Sequence, residues 1–213
     1  MVNSHCYYIN SEFHHKGSRR NQSDSGGGMF GEKLSHYVDL ARWWTGGELD
    51  WVQSVCAPNI VPYYEVRDNY HTTWRFTSGA VGHLTFMMGP AANVDGDPLQ
   101  LLDLERDTGH HLRLLVVGTR GCAEADAFAR TLRRWAFSDT EACQRSDKVE
   151  EHTWSVDEDH RYFHNTTDQT RDIVRRVRDG LPPALAPRDA FETMRLSFAA
   201  EASATAGERI FLR

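Results

Sequence analysis

The sequence predicts an α+β fold: a large, mostly antiparallel open sheet with helices packed on one face. Three observations predict it. A glycine run opens into one amphipathic helix at Ser25 to Gly47, at least six short period-two stretches follow with hairpin-like links, and two further helices close the chain. Hairpin links imply antiparallel pairing and argue against a doubly wound sheet.

The helix SGGGMFGEKLSHYVDLARWWTGG is the best-patterned element. At about 100° per residue, Phe30, Leu34, Tyr37, Val38, Ala41 and Trp44 cover one side, wide enough for a buried face. Glu32, His36, Asp39 and Trp43 fall within roughly 60° of one another on the other side. An acid, an imidazole and a second acid at i, i+4 and i+7 form a possible proton-handling row. A carboxylate beside a histidine orients the ring and tunes its pKa, as a general acid/base near neutral pH requires. The spacing is equally that of an exposed helix face with ordinary charge pairs.

Before the helix, HCYYIN reads as a strand. It leads into the polar loop HHKGSRRNQSDSGGG, where His14, His15, Lys16, Arg19 and Arg20 are candidates to line a site for an anionic or hydroxyl-rich substrate. Residues 1–24 are thus expected to enter a domain that runs from 25 to 213. An opening strand without a preceding turn suggests that the chain starts in the middle of something.

After the helix, WVQSVCAP (51–58), NYHTTWRF (69–76) and AVGHLTFMMG (80–89) alternate with period two, and Thr77-Ser78-Gly79 is a hairpin signal. Tyr70, Thr72, Trp74 and Phe76 fall on one face of their strand. These aromatic positions need cover, which points to a homodimer or homotetramer formed through the sheet. The segment from Pro90 to His110 is turn-rich and reads as irregular. Further strands are expected at 110–118, 122–126, 131–137 and, after a polar connection, 152–156. Asp159 to Arg178 reads as one helix ended by Gly180 and Pro182-Pro183. Pro187 opens the last helix, and RIFLR reads as a final strand.

At 213 residues the chain suits one core with small additions, and a net charge of −6 gives no field for nucleic acid. No apolar run nears the ~20 residues needed to span a bilayer, and no secretion signal opens the chain, so the expected place is the cytoplasm. Cys6, Cys56, Cys122 and Cys143 are widely spaced, as reduced thiols are. The pairs His14-His15 and His110-His111 sit in polar loops, and no metal is assigned.

The residues also resemble a known family. Gly26-Gly27-Gly28, then Glu32, His36 and Asp39, are similar to the helix that starts the C-terminal domain of Gfo/Idh/MocA oxidoreductases, which reads GGG, Asp or Glu, three residues, His, two residues, Asp. Glu32-Lys33 looks like the EK variant of that helix. FTSGAVGHLTF, GTRG and DAFETMRLSFAAEASATAGERIFL resemble, in the same order, later motifs of that domain. The resemblance implies a dihydrodipicolinate-reductase-like sheet and a dehydrogenase of sugars, polyols such as inositol, or related hydroxy compounds. His36 would take the substrate hydroxyl proton, Glu32 would orient or polarise it, and Lys33 and Asp39 would sit at the edge of the substrate site.

The family's other half, a dinucleotide-binding domain with G-x-G-x-x-G between strand and helix, has no counterpart in this sequence. The resemblance therefore implies NAD or NADP in the complete enzyme, a missing Rossmann domain as partner, and no useful dinucleotide binding by this chain alone. The competing reading is a non-enzymatic ligand-binding or dimerisation module from a truncated or split chain.

Overall fold

Nine strands form one sheet in the order β8-β7-β6-β5-β1-β4-β3-β2-β9 in the computed structural model, which describes residues 2–9, 16–24, 27–88, 111–162 and 165–212. The strands are β1 (Val2–Ile9), β2 (Leu49–Val55), β3 (Asn69–Phe76), β4 (Val81–Met88), β5 (His111–Gly118), β6 (Gly121–Asp126), β7 (Thr131–Asp139), β8 (Gln144–Thr153) and β9 (Ile210–Phe211). All neighbours are antiparallel except β1 and β4, which run parallel. That exception has a topological cause. The chain leaves β1 through the loop and helix and returns only after β2 and β3, and such a crossover permits parallel pairing where a hairpin does not. The opening segment thus supplies a central strand.

The helices are α1 (Ser35–Thr45), preceded by a π-helical turn (Phe30–Leu34), the short α2 (Asp159–Tyr162), α3 (Thr166–Arg178) and α4 (Pro187–Ala206). α1 and α4 pack together, and α4 lies on β2. Serines and an alanine on its inner side allow close approach. Ser197, Ala200 and Ser203 are buried, and the Ser54 amide of β2 donates to Ser203 Oγ at 2.9 Å.

Three expectations need correction. Tyr70, Trp74 and Phe76 are fully buried within the chain, beneath its own helices, so they do not call for a second subunit. The polar connection before 152 is in fact the strand β8, which pairs with β7 through Asp139↔Gln144 to Thr131↔Thr153. Period-two hydrophobicity could not reveal it, because nearly all of its residues are exposed. Arg133–Glu151 and Arg134–Glu150 ion pairs at 2.8 and 2.9 Å tie it to β7. The helix expected over 159–178 is α2 followed by a fresh start at α3, where the Asn165 side chain caps the Asp168 amide. The irregular stretch expected at 90–110 lies outside the described residues.

One glycine is demanded by packing. A Cβ on Gly121, in the β5–β6 turn, would meet the Trp135 carbonyl oxygen at 2.2 Å, so the GTRG turn cannot carry a side chain there.

Candidate functional site

The glycine-opened helix enters the core through Met29 and Phe30, both fully buried, with the Phe30 ring edge-on to Tyr70 at 4.9 Å. Gly27 and Gly28 have φ of 68° and 72°, a region that disfavours side chains. A Cβ on Gly28 would also lie 3.3 Å from Glu201 Oε2. Leu34, Tyr37, Val38 and Ala41 complete the buried face, as the periodicity predicts. The opposite face is therefore held outward.

The periodicity did not foresee the π turn. The Ser35 amide donates to the Phe30 carbonyl five residues back, which widens the helix between Phe30 and Leu34. Such single turns recur at functional sites. Glu32 and Lys33 sit within it, one turn before His36.

Glu32 accepts an ion pair from Arg20 Nε at 2.9 Å through Oε1. Its Oε2 is buried and has no hydrogen-bond partner among the described residues. Arg20 is presented by a 3-10 turn (Arg19–Asn21) that is built into the fold. Ser18 Oγ accepts from the Arg20 amide at 3.4 Å, and buried Asn21 offers its carbonyl to the Glu65 and Val66 amides at 2.9 and 3.4 Å. The 56–68 loop beneath is fastened by buried Asp68, whose Oδ2 accepts the Ile60 and Val61 amides, both at 2.7 Å.

His36 lies on the exposed face of α1. Partial burial of its ring, then the Lys33 ammonium, hold its pKa below the usual 6.5, while Glu32 and Asp39 pull it back up. The net effect keeps the imidazole neutral near pH 7, with a lone pair able to accept a proton. No hydrogen bond joins Glu32 to His36; the two interact through charge.

Asp39 does something more mundane than the row suggests. Its Oδ1 accepts the Thr193 hydroxyl at 2.6 Å and lies 4.0 Å from Arg42 Nη1, and Arg42 also donates to Thr193 Oγ1 and the Asp189 carbonyl. This knot fastens α1 to α4. Of the loop cations, Lys16 sits over the Tyr63 ring at 5.3 Å, Arg19 is exposed, and Arg20 reaches the helix row through its ion pair with Glu32. His14 and His15 lie outside the described residues. Among the described residues no group of three or more His, Cys, Asp or Glu side chains is placed to hold a metal.

A second polar cluster escaped the sequence reading because its members are far apart in the chain. The buried Tyr70 hydroxyl donates to Glu201 Oε2, and Arg67 Nε lies 3.6 Å from the other Glu201 oxygen. Burial, and next the Glu201 charge, push the Tyr70 hydroxyl far above its ordinary pKa, and burial raises the nearby Cys56 thiol to about 11. Glu201 borders a cleft of about 430 Å³ with Ser23, Gly27, Gly28, Glu65 and Arg67.

An extended mixed sheet with one helical layer, entered through a glycine-opened helix, defines an α+β domain. The chain belongs to the GFO/IDH/MocA C-terminal domain family, whose profile matches residues 1–124. No curated protein matches it in sequence. Among solved structures, GenD2 from gentamicin A biosynthesis in complex with NAD is similar over 100% of this chain and 55% of its own, at 22% identity and a TM-score of 0.67. Levoglucosan dehydrogenase in complex with NADH and levoglucosan is similar over 99% of this chain and 58% of its own, at 17% identity and 0.70. An oxidoreductase domain protein from Kribbella flavida aligns over 100% and 59%, at 17% identity and 0.71. The chain spans little more than half the length of these relatives. No helix among the described residues is long and apolar enough to cross a membrane.

Proposed function

We propose that this chain is the substrate-binding and catalytic-histidine portion of an NAD(P)-dependent oxidoreductase acting on a sugar, polyol or related hydroxy compound. The observation that carries the reading is His36, a neutral imidazole on an exposed helix face flanked by Glu32, Lys33 and Asp39. Solved relatives complexed with NAD, and with NADH and levoglucosan, support the same assignment.

His36 accepts the proton of a substrate hydroxyl. Glu32 fixes the charge around it, Lys33 keeps it from being protonated in advance, and Asp39 holds the helix against α4.

The dinucleotide itself does not fit the described residues. A pyrophosphate needs backbone amides at a glycine-rich helix start free of negative charge. Here the start at Gly28 faces the Glu201 carboxylate, with Glu65 lining the same cleft. The nucleotide belongs to the rest of a complete enzyme, and this chain alone binds NAD(H) or NADP(H) no better than roughly millimolar.

Ring-proton NMR of His36 during titration with a panel of sugars and cyclic polyols tests the substrate class, with His36→Ala identifying the signal. Saturable movement of that signal is expected. A panel that leaves it still would refute the reading. Calorimetry with NADH gives the complementary test, and micromolar binding would contradict the division of labour.

A non-enzymatic assembly role is favoured by one separate observation. An apolar hollow of about 340 Å³ opens on β5, β6 and β7 beside Trp44, lined by Leu114, Val116, Ala125 and Leu132. A homodimer or homotetramer through this part of the sheet would cover it.

A further inference from the structure

Glu32 has its two oxygens in different situations. Oε1 is taken by Arg20 Nε at 2.9 Å, and Oε2 is buried without a hydrogen-bond donor among the described residues. A buried carboxylate oxygen left without a donor is costly and calls for an explanation. Since an ionised carboxylate only accepts hydrogen bonds, the missing partner must carry an O–H or N–H.

The pair is also mounted stiffly. Arg20 rides on the turn anchored by Ser18 and buried Asn21, and that turn rests on the Asp68-fastened loop. Glu32 rides on the π turn above buried Phe30 and Leu34. Two elements that approach from different parts of the chain thus fix one carboxylate one turn before His36. An ordinary surface ion pair between flexible side chains lacks such a frame.

We propose that Arg20 is a positioning residue: its guanidinium holds one oxygen of Glu32 so that the other is presented to a hydroxyl of a polyol-type ligand beside His36. The inference rests on the function proposed above and deepens it. Glu32 then recognises an alcohol hydroxyl, which donates, and gains nothing from a carbonyl at the same place, which can only accept. The site would therefore prefer a polyol to the corresponding monoketone.

The charged groups around the ring are Glu32, Lys33 and Asp39, with Arg20 acting through Glu32. The full chain supplies the test, using Arg20→Gln, Arg20→Lys and Glu32→Gln. Two readings are taken from each: the NMR titration midpoint of His36 and the affinity for a polyol that moves its signal.

Arg20→Gln leaves the Glu32 charge uncompensated and is expected to raise the midpoint by about half a unit, while Glu32→Gln lowers it. Both are expected to weaken polyol binding about tenfold and to erase the preference over the monoketone. Arg20→Lys keeps the charge without the guanidinium fork and should fall between.

Arg20→Gln with unchanged midpoint and affinity, whatever its thermal stability, would overturn the proposal and reduce Arg20 to a fold-stabilising residue. If His36→Ala still lost the ligand in that case, the proposed function would stand without it. Polyols that fail to move His36 in the unaltered chain would overturn both.

Discussion

The two halves of the sheet are built on different principles. Under α1 and α4, β3 and β4 bury Trp74, Phe76, Leu84, Phe86 and Met88 almost completely, and β2 buries Leu49 and Val52. In the wing from β6 to β8 no side chain reaches that state, and charge pairs across β7 and β8 take over on the surface. One half is held mainly by exclusion of water, which is not a charge interaction and is not screened by salt. The other is held by backbone ladders and ion pairs that water and ions screen. The candidate site stands on the first half, where the backbone is best fixed. Sites need such rigid support.

The comparison breaks most visibly in the core. Trp74→Ala is expected to cost about 3 to 5 kcal/mol in urea unfolding, the range for buried aromatic truncation, whereas Trp135→Ala on half-buried β7 should cost clearly less. Equal losses would mean that the two halves share one cooperative core.

Asp68→Ala comes next. It leaves the Ile60 and Val61 amides without their acceptor and also removes the acceptor that Asn69 Nδ2 uses at 2.8 Å, so about 3 kcal/mol should be lost. Hydrogen exchange should quicken first in residues 56–68 and then in the Arg19–Asn21 turn that rests on them.

In the wing, Leu132→Asp should leave monomer stability within about 1 kcal/mol, because the position is only half buried, yet abolish any dimer made over the hollow beside Trp44. Light scattering decides it. A monomer of 24.3 kDa in the unaltered chain at tens of micromolar would remove the assembly claim.

Acid gives the finest contrast. Lys148 and Arg133 hold the exposed Glu151 carboxylate at about 2, so its contribution is present above the ordinary 4.5 and fades as pH falls from there toward 2. His36 acts earlier: its folded pKa lies below 6.5, the unfolded chain binds the proton more readily, and stability declines as pH drops through 6.5. Glu151→Gln should flatten the lower window only, and added salt should do the same. His36→Ala should flatten only the upper one. Thermal melts from pH 7 to pH 2 separate them.

Much of this was legible without coordinates, for reasons of periodicity. Alternation along NYHTTWRF placed Tyr70, Thr72, Trp74 and Phe76 on one buried face, and the 100° pattern placed Phe30, Leu34, Tyr37, Val38 and Ala41 inward and His36 outward. The four motifs that resemble the family pointed to the family to which the chain belongs. β8 was not legible, because an edge strand exposed along nearly its whole length has no apolar alternation to show. Nor was it visible that the aromatic face is covered by the chain's own α4, since coverage is a relation between elements.

Local geometry and residue chemistry were enough to say which residues of α1 and β3 face inward and that a histidine lies among acids on one helix. Which acid meets which cation depends on how distant segments fold together. Arg20 finds Glu32, Asp39 ties to Thr193, and the Tyr70 hydroxyl donates a hydrogen bond to Glu201 across 131 positions. Charged and polar side chains choose partners by distance in space, and the distance is set by how the 56–68 loop, the π turn and α4 come together, which no local pattern encodes.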